Sequence, residues 1–145
     1  MSICDLSKDY GAYRDKLVAV RGVDYEGLRQ ICPQSCASGP LPSFLDLAGT
    51  ADSDWSALAQ AERTVDLEAK KGRRLEIWVT AVGRLQTVAQ LSPVGPCDTV
   101  GSRYGGYGHL GVFPAQIRVK YFRDLVIVEN PQSLYDYSNV YHGAF

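Results

Sequence analysis

The segment from Trp55 to Lys71 constrains the fold most, because it contains neither proline nor glycine and is flanked on both sides by short alternating segments. Its apolar residues recur at helical spacing; they are Trp55, Leu58, Val65 and Ala69. Residues 50–54 offer several N-cap side chains, Lys70 and Lys71 fall in the predicted last turn, and Gly72 suits the C′ position. The segment predicts one principal helix in an otherwise mainly β chain.

Six segments predict strands around this helix, most of them by alternation of apolar and polar residues and the last, Leu125–Val128, as a short apolar run. They are Lys16–Val23, Leu28–Cys32 and Ser43–Ala48 before it, and Leu75–Val88, Ala115–Phe122 and Leu125–Val128 after it. Residues 24–27 predict a hairpin turn, and Arg123–Asp124 predicts a bulge or a tight link. Gly22 predicts a bend or bulge in the first strand, and Gly83 a bend in the fourth.

The N-terminal residues 5–15 predict a short helix or helical turn, since Leu6, Tyr10 and Tyr13 stand at helical spacing. Gly11 weakens that helix. Residues 36–42 are rich in turn-forming residues.

Three strands, a helix and two further strand regions follow the order expected of an OB barrel. The segment Tyr13–Gly22, read as YRDKLVAVRG, resembles OB-fold domains of the anticodon-binding type. Residues 106–116, GYGHLGVFPAQ, are similar to small bacterial OB-like proteins without assigned function. The resemblance implies a five-stranded Greek-key barrel with its helix between strands 3 and 4. We expect one such domain over residues 1–130, with a separate aromatic tail over 131–145.

Length and charge limit the classes of partner. The chain has 145 residues, and its 15 basic against 16 acidic residues give a net charge of −1. That balance argues against non-specific nucleic-acid binding, which needs a basic excess on one face. No apolar run is long enough to span a membrane, so no membrane partner is expected.

The beginning of the chain predicts no signal peptide, because it has neither a basic start nor an apolar core. Two locations stay open: the cytoplasm, or an extracytoplasmic compartment reached with a leader that preceded Met1.

The four cysteines, Cys4, Cys32, Cys36 and Cys97, allow three pairings into two disulfides. One or two disulfides and reduced thiols are both open, and the even count favours an oxidising compartment. Cys32 and Cys36 lack a second cysteine pair or a nearby histidine, so no metal site is expected.

The glycine-rich loop Gly101–Gly111 is a candidate binding rim. It leads into a strand, whereas phosphate-binding glycine loops open a helix, so no dinucleotide site is predicted. Arg103 could meet a phosphate or carboxylate, and Tyr104, Tyr107 and His109 could stack on bases or sugars. The alternative is that these side chains only cover one end of the barrel.

Arg118 and Lys120 form a basic strip on the strand 115–122, where they alternate with Ile117, Val119 and Tyr121. Trp78, Thr80 and Arg84 could lie on another face. The basic run over residues 70–74 is either an anchor for a phosphate backbone or a solvated helix end.

No catalytic motif is present, so the sequence predicts a non-enzymatic binding or interaction module without cofactor. Its expected ligand is an oligosaccharide, a single-stranded nucleic acid or a protein. The alternative is an assembly subunit, because residues Pro131–Phe145 are too aromatic for a disordered tail. That tail would dock on its own domain or on a neighbour, in which case it would form a homo-oligomer.

Overall fold

The structure is a computed structural model, and it describes residues 1–32, 41–87 and 115–135. Its elements are α1 (Ile3–Leu6), a 3₁₀ turn (Tyr10–Tyr13), β1 (Leu17–Asp24), β2 (Leu28–Cys32), β3 (Leu41–Ala48), α2 (Ser56–Ala69), β4 (Leu75–Thr87) and β5 (Ala115–Glu129). The prediction of a mainly β chain whose principal helix follows the third strand is confirmed.

The five strands form one mixed sheet that closes into a ring in the order β1-β2-β3-β5-β4. Neighbouring strands are antiparallel except β3 and β5, which are parallel. The longest ladders join β4 to β5 and β4 to β1. Pairing of β1 with β2 is confined to Val23–Asp24, and pairing of β3 with β5 to Asp46–Ala48.

Alternation along the strands produces the core. On β4 the buried core residues include Ile77, Val79 and Ala81, and on β5 they include Ile117 and Val119. Because successive side chains of a strand point to opposite faces, the residues between them lie on the outside of the ring. The buried face of α2 packs against the same core through Leu58, Ala61 and Val65.

The N-terminal segment lies against β1 and β2, where the two strands are paired over only a short distance. Ile3 and Leu6 of α1 are fully buried, and a disulfide joins Cys4 of α1 to Cys32 at the end of β2. A Cβ atom at Gly22 would lie 2.6 Å from the Cδ1 atom of Ile3. Gly22 pairs with Val79 in regular register, so of the two predicted alternatives the bulge does not form against β4, and the missing side chain makes room for Ile3.

A single helix over residues 5–15 does not form. The structure has two short turns, because the Asp9 carboxylate accepts a hydrogen bond from the Ala12 amide at 3.2 Å and starts a new turn. α2 begins at Ser56, whose amide and hydroxyl both donate to the Asp54 carboxylate. It ends at Ala69, so Lys70 and Lys71 follow the last turn instead of lying in it, while Gly72 has the predicted positive φ of 85°.

β5 is one continuous strand, so the prediction of two separate strands, Ala115–Phe122 and Leu125–Val128, is wrong. Asp124 has a φ of 53° at a bulge in β5, which resolves the predicted alternatives in favour of a bulge. A second register shift lies between Val82 and Gly83 of β4. A Cβ at Gly83 would collide with the Arg118 carbonyl and lie 2.7 Å from Ile117 Cγ2, so a glycine is needed where β5 approaches closest.

Candidate functional site

The outer face of β1, β4 and β5 carries rows of side chains that run across the three strands. Strand register pairs Arg21 with Thr80 and Thr80 with Arg123, which places these three residues in one row. The four rows, in order along β4, are Val23–Trp78–Val126, Arg21–Thr80–Arg123, Ala19–Val82–Tyr121 and Leu17–Arg84–Arg118. We call this surface the outer face.

Aromatic and basic rows alternate on the outer face. The first row contains Trp78 and the third contains Tyr121. The second and fourth rows each contain two arginines, one of which lies on β5. One row is two residues from the next, a step of about 6.7 Å along a strand. Rows of the same chemistry are therefore about 13 Å apart.

A groove of about 350 Å³ lies over the second row. It is lined by Arg21, Thr80 and Arg123 together with Met1, Ser2, Ala19, Gln30 and Trp78. The N-terminal segment forms one wall, because Met1 accepts a backbone hydrogen bond from the Arg21 amide at 2.9 Å.

Arg21 is held in the groove by uncharged partners. Its Nη1 atom donates to the Asp124 carbonyl at 2.7 Å and to Thr80 Oγ1 at 3.3 Å. No carboxylate within the described ranges forms an ion pair with Arg21. Its guanidinium charge is therefore available to an anionic ligand.

The side chains at the end of the groove are also positioned by hydrogen bonds. The half-buried Trp78 donates its indole N–H to Glu76 at 3.1 Å, and Glu76 accepts a second bond from Asn130 at 3.1 Å. These contacts hold the indole ring in one orientation. Gln30 Oε1 is buried and has no hydrogen-bond partner among the residues that the structure describes. Such an acceptor costs about 1–3 kcal/mol unless a water or ligand donor reaches it.

The outer face is positively charged although the chain is not. Its cations are Arg21, Arg84, Arg118, Lys120 and Arg123. Asp124 forms an exposed ion pair with Arg123, with the Nε and Oδ2 atoms 3.5 Å apart, and such pairs are weak. Glu76 is buried behind Trp78 and already accepts two hydrogen bonds.

The predicted site residues that the structure describes lie together on the outer face. Arg118 and Lys120 are exposed, and Ile117 and Val119 between them are buried. Trp78, Thr80 and Arg84 lie beside them, so the expectation of a separate face is wrong.

The expected alternation fails at Tyr121. The register shift at Val82/Gly83 leaves Lys120 without a pairing partner on β4, and it turns Tyr121 outward opposite Val82. Tyr121 is therefore 47% exposed instead of sharing the inner side with Val119.

Several predicted residues lie outside the described part of the chain. These are Arg103, Tyr104, Tyr107, His109, Cys36 and Cys97, with the whole loop 101–111. Conversely, Arg21, Gln30 and Arg123 belong to the groove and were not predicted. The outward position of Arg21, shared with Leu17 and Ala19, was the available signal, but its neighbours on β4 and β5 follow only from strand pairing.

The basic run over residues 70–74 is mostly paired with acids. Lys70 contacts Asp66 at 3.1 Å, Lys71 contacts Glu68 at 3.3 Å, and Arg73 contacts both Glu68 and Glu129. These contacts favour the interpretation as a solvated helix end over that as a phosphate anchor.

The first residues of the tail dock on their own domain. Tyr135 is 9% exposed, and its ring lies 5.1 Å from that of Tyr25 in the β1–β2 turn. Arg74 donates to the Ser133 and Tyr135 carbonyls, at 3.5 and 3.4 Å. The tail from residue 136 onward lies outside the described residues.

One buried carboxylate departs from ordinary behaviour. Asp24 at the end of β1 is 7% exposed, and its pKa is raised well above the usual range by burial and by the neighbouring Glu62 carboxylate of α2. A group so enclosed has no open approach for a substrate.

The described residues include neither a cluster of metal ligands nor a helix that could cross a membrane. No group of three or more His, Cys, Asp or Glu side chains in that part of the chain could hold a metal ion. None of its helices is long and apolar enough to cross a membrane.

Comparison with known proteins identified no relative. A scan against family models, a search of curated proteins and a search of solved structures each found no match to this chain.

Proposed function

We propose that this protein is a non-enzymatic binding module with an OB-type Greek-key barrel, which holds an extended anionic ligand along its outer face. The ring of five strands, with its helix between the third and the fourth, supports the barrel assignment. The ligand assignment is supported by side-chain chemistry.

The observation that carries the proposal is the pair of arginines on either side of Thr80. Arg21 and Arg123 border one groove, and Arg21 meets only neutral oxygens there. Guanidinium groups bind phosphate, sulfate and carboxylate oxygens through two parallel hydrogen bonds. Arg84, Arg118 and Lys120 extend the positive charge beyond the groove, which favours a ligand longer than one anion.

Binding without catalysis fits the side chains that line the groove. Arg21, Gln30, Thr80 and Trp78 offer hydrogen bonds and an aromatic surface, and none of them is a histidine, carboxylate or thiol of the kind that general acid–base catalysis commonly uses. The hydroxyl of Thr80 is 3.3 Å from an arginine nitrogen instead of a general base.

Titration with three polyanions tests the proposal: a heparin octasaccharide, a single-stranded oligonucleotide and poly-glutamate, each at low and high salt. We expect at least one to bind, with an affinity that falls as salt rises. The double variant Arg21→Glu/Arg123→Glu should weaken that binding more than 10-fold.

The matched control is Lys8→Glu/Arg63→Glu, which changes the charge equally at exposed positions outside the groove. It should bind nearly as the unmodified protein does. Absence of binding to all three probes at low salt, or equal losses in the two double variants, would contradict the proposal.

A further inference from the structure

We infer that the extended ligand of the outer face is single-stranded nucleic acid, with bases against Trp78 and Tyr121 and phosphates against the arginines of the adjacent rows. This inference rests on the proposed function and narrows its anionic ligand to one class.

The order of the rows is the first argument. Aromatic and basic rows alternate at steps of about 6.7 Å, so each stacking surface is next to a cationic row. A single strand presents the same two chemistries side by side along its length, planar bases on one side and phosphates on the other. Binding without strict sequence preference uses this combination of a positive track and aromatic surfaces.

Exposure of the aromatic rings is the second argument. Tyr121 is 47% exposed on the outside of the barrel. Trp78 lines the groove and is fixed through its indole N–H. An acidic peptide would use the cations but would gain little from these two rings, whereas every base has a face that stacks.

Gln30 supplies the third argument. Gln30 lines the same groove as Trp78, and its buried Oε1 atom has no hydrogen-bond partner among the described residues. The N–H groups on the edge of a base stacked on Trp78 are donors that suit this acceptor. Single strands expose these edges, whereas a duplex uses them in base pairs.

The length of the face sets the site size. From the row of Trp78 to the row of Arg84 is six residues, or about 20 Å along the strands. At about 3.4 Å per charge, the spacing along one strand of a duplex, this length covers at most about six nucleotides. We therefore expect affinity to rise with oligonucleotide length up to about six nucleotides and then to level off.

Tryptophan fluorescence provides a direct test. The chain has two tryptophans, so Trp55→Phe leaves Trp78 as the reporter. The probes are adenine, cytosine and thymine oligonucleotides of two to ten residues, a ten-base-pair duplex and a heparin octasaccharide. We expect single strands to quench Trp78 fluorescence and to bind at least 10-fold more tightly than the duplex.

Two kinds of substitution separate stacking from charge, and anisotropy of a labelled strand measures both. Tyr121→Leu should weaken single-strand binding about 10-fold without changing its salt dependence, and it stays informative if Trp78→Leu fails to fold. Arg118→Gln/Lys120→Gln should lower the slope of log affinity against log salt by about 1.4. The control Leu67→Ala, an exposed residue of α2, should leave both quantities unchanged.

The outcomes distinguish this inference from the proposed function. Binding of heparin or poly-glutamate that depends on Arg21 and Arg123, without oligonucleotide binding, would overturn the inference alone. Single-strand binding that Tyr121→Leu and Trp78→Leu leave unchanged would also overturn it. Failure of every polyanion would overturn both.

Discussion

At the scale of the residue, Asp24 is the clearest case of a side chain whose charge conflicts with its surroundings. It is buried beside Glu62, and both burial and that carboxylate raise its pKa well above 3.8. The folded state therefore holds its proton more tightly than the unfolded chain does. By linkage, the contribution of protonated Asp24 to the free energy of unfolding is complete below its unfolded-state pKa. That contribution is lost as the pH rises through its higher folded-state pKa.

We predict that Asp24→Asn raises stability at pH 8 and flattens the fall in stability above about pH 4. The amide removes the buried charge and can donate to the Glu62 carboxylate. Relief of about 1–2 kcal/mol would raise Tm by about 2–8 °C. Thermal unfolding from pH 4 to 9 measures this, with the exposed Asp52→Asn as control. Parallel pH profiles for the unmodified protein and Asp24→Asn would contradict the prediction.

At the scale of the element, α1 contributes more than its four residues suggest. Ile3 and Leu6 are fully buried, and the Cys4–Cys32 disulfide fastens α1 to β2 across a sequence separation of 28 residues. The sequence allowed three pairings, and spacing alone could not select one. The contact follows from the packing of α1 against β2.

We predict that Cys4→Ser/Cys32→Ser lowers the free energy of unfolding by about 3–4 kcal/mol, since a loop of this length is no longer closed in the unfolded state. Urea unfolding under non-reducing conditions measures the change. Reduction of the unmodified protein should give a loss at least as large. A double variant with unchanged stability would show that the bond does not contribute.

The positions of the strands along the chain can be predicted from the sequence, but which strands pair with each other cannot. Alternation locates β1, β2 and β4 within a residue or two, because burial of one strand face leaves a period-two pattern. The row of Arg21, Thr80 and Arg123 depends on strands more than 40 residues apart, and no local pattern encodes that pairing. The outward turn of Tyr121 depends on a bulge, which reverses the facing of the residues that follow it as far as the next bulge.

At the scale of the whole molecule, charge is segregated. The net charge of −1 argued against nucleic acid, yet the cations of β1, β4 and β5 share one face. Many acids lie elsewhere: Asp52, Asp54, Glu62, Asp66 and Glu68 precede or belong to α2. The net charge adds residues from all sides of the molecule, although a ligand contacts only one side. It therefore could not reveal that these cations share one face.

We predict uneven amide protection around the ring. β4 is paired along its length with β5 and over much of it with β1, whereas β1–β2 and β3–β5 pair over short stretches. Amides of Val79 and Ala81 should exchange at least 10-fold more slowly than those of Leu47 and Ala48. Hydrogen exchange followed by NMR measures both sets. Equal protection throughout the barrel would contradict this picture.

The wall that the N-terminal segment builds has a practical consequence for handling the protein. The Met1 amine donates to the Ala19 carbonyl at 2.8 Å, and Met1 and Ser2 both line the groove. Any peptide joined ahead of Met1, including a purification tag, emerges at the groove and competes for its opening. Binding assays therefore need a protein whose tag has been cleaved from this end, and an N-terminal fusion that blocks the ligand would itself report where the ligand sits.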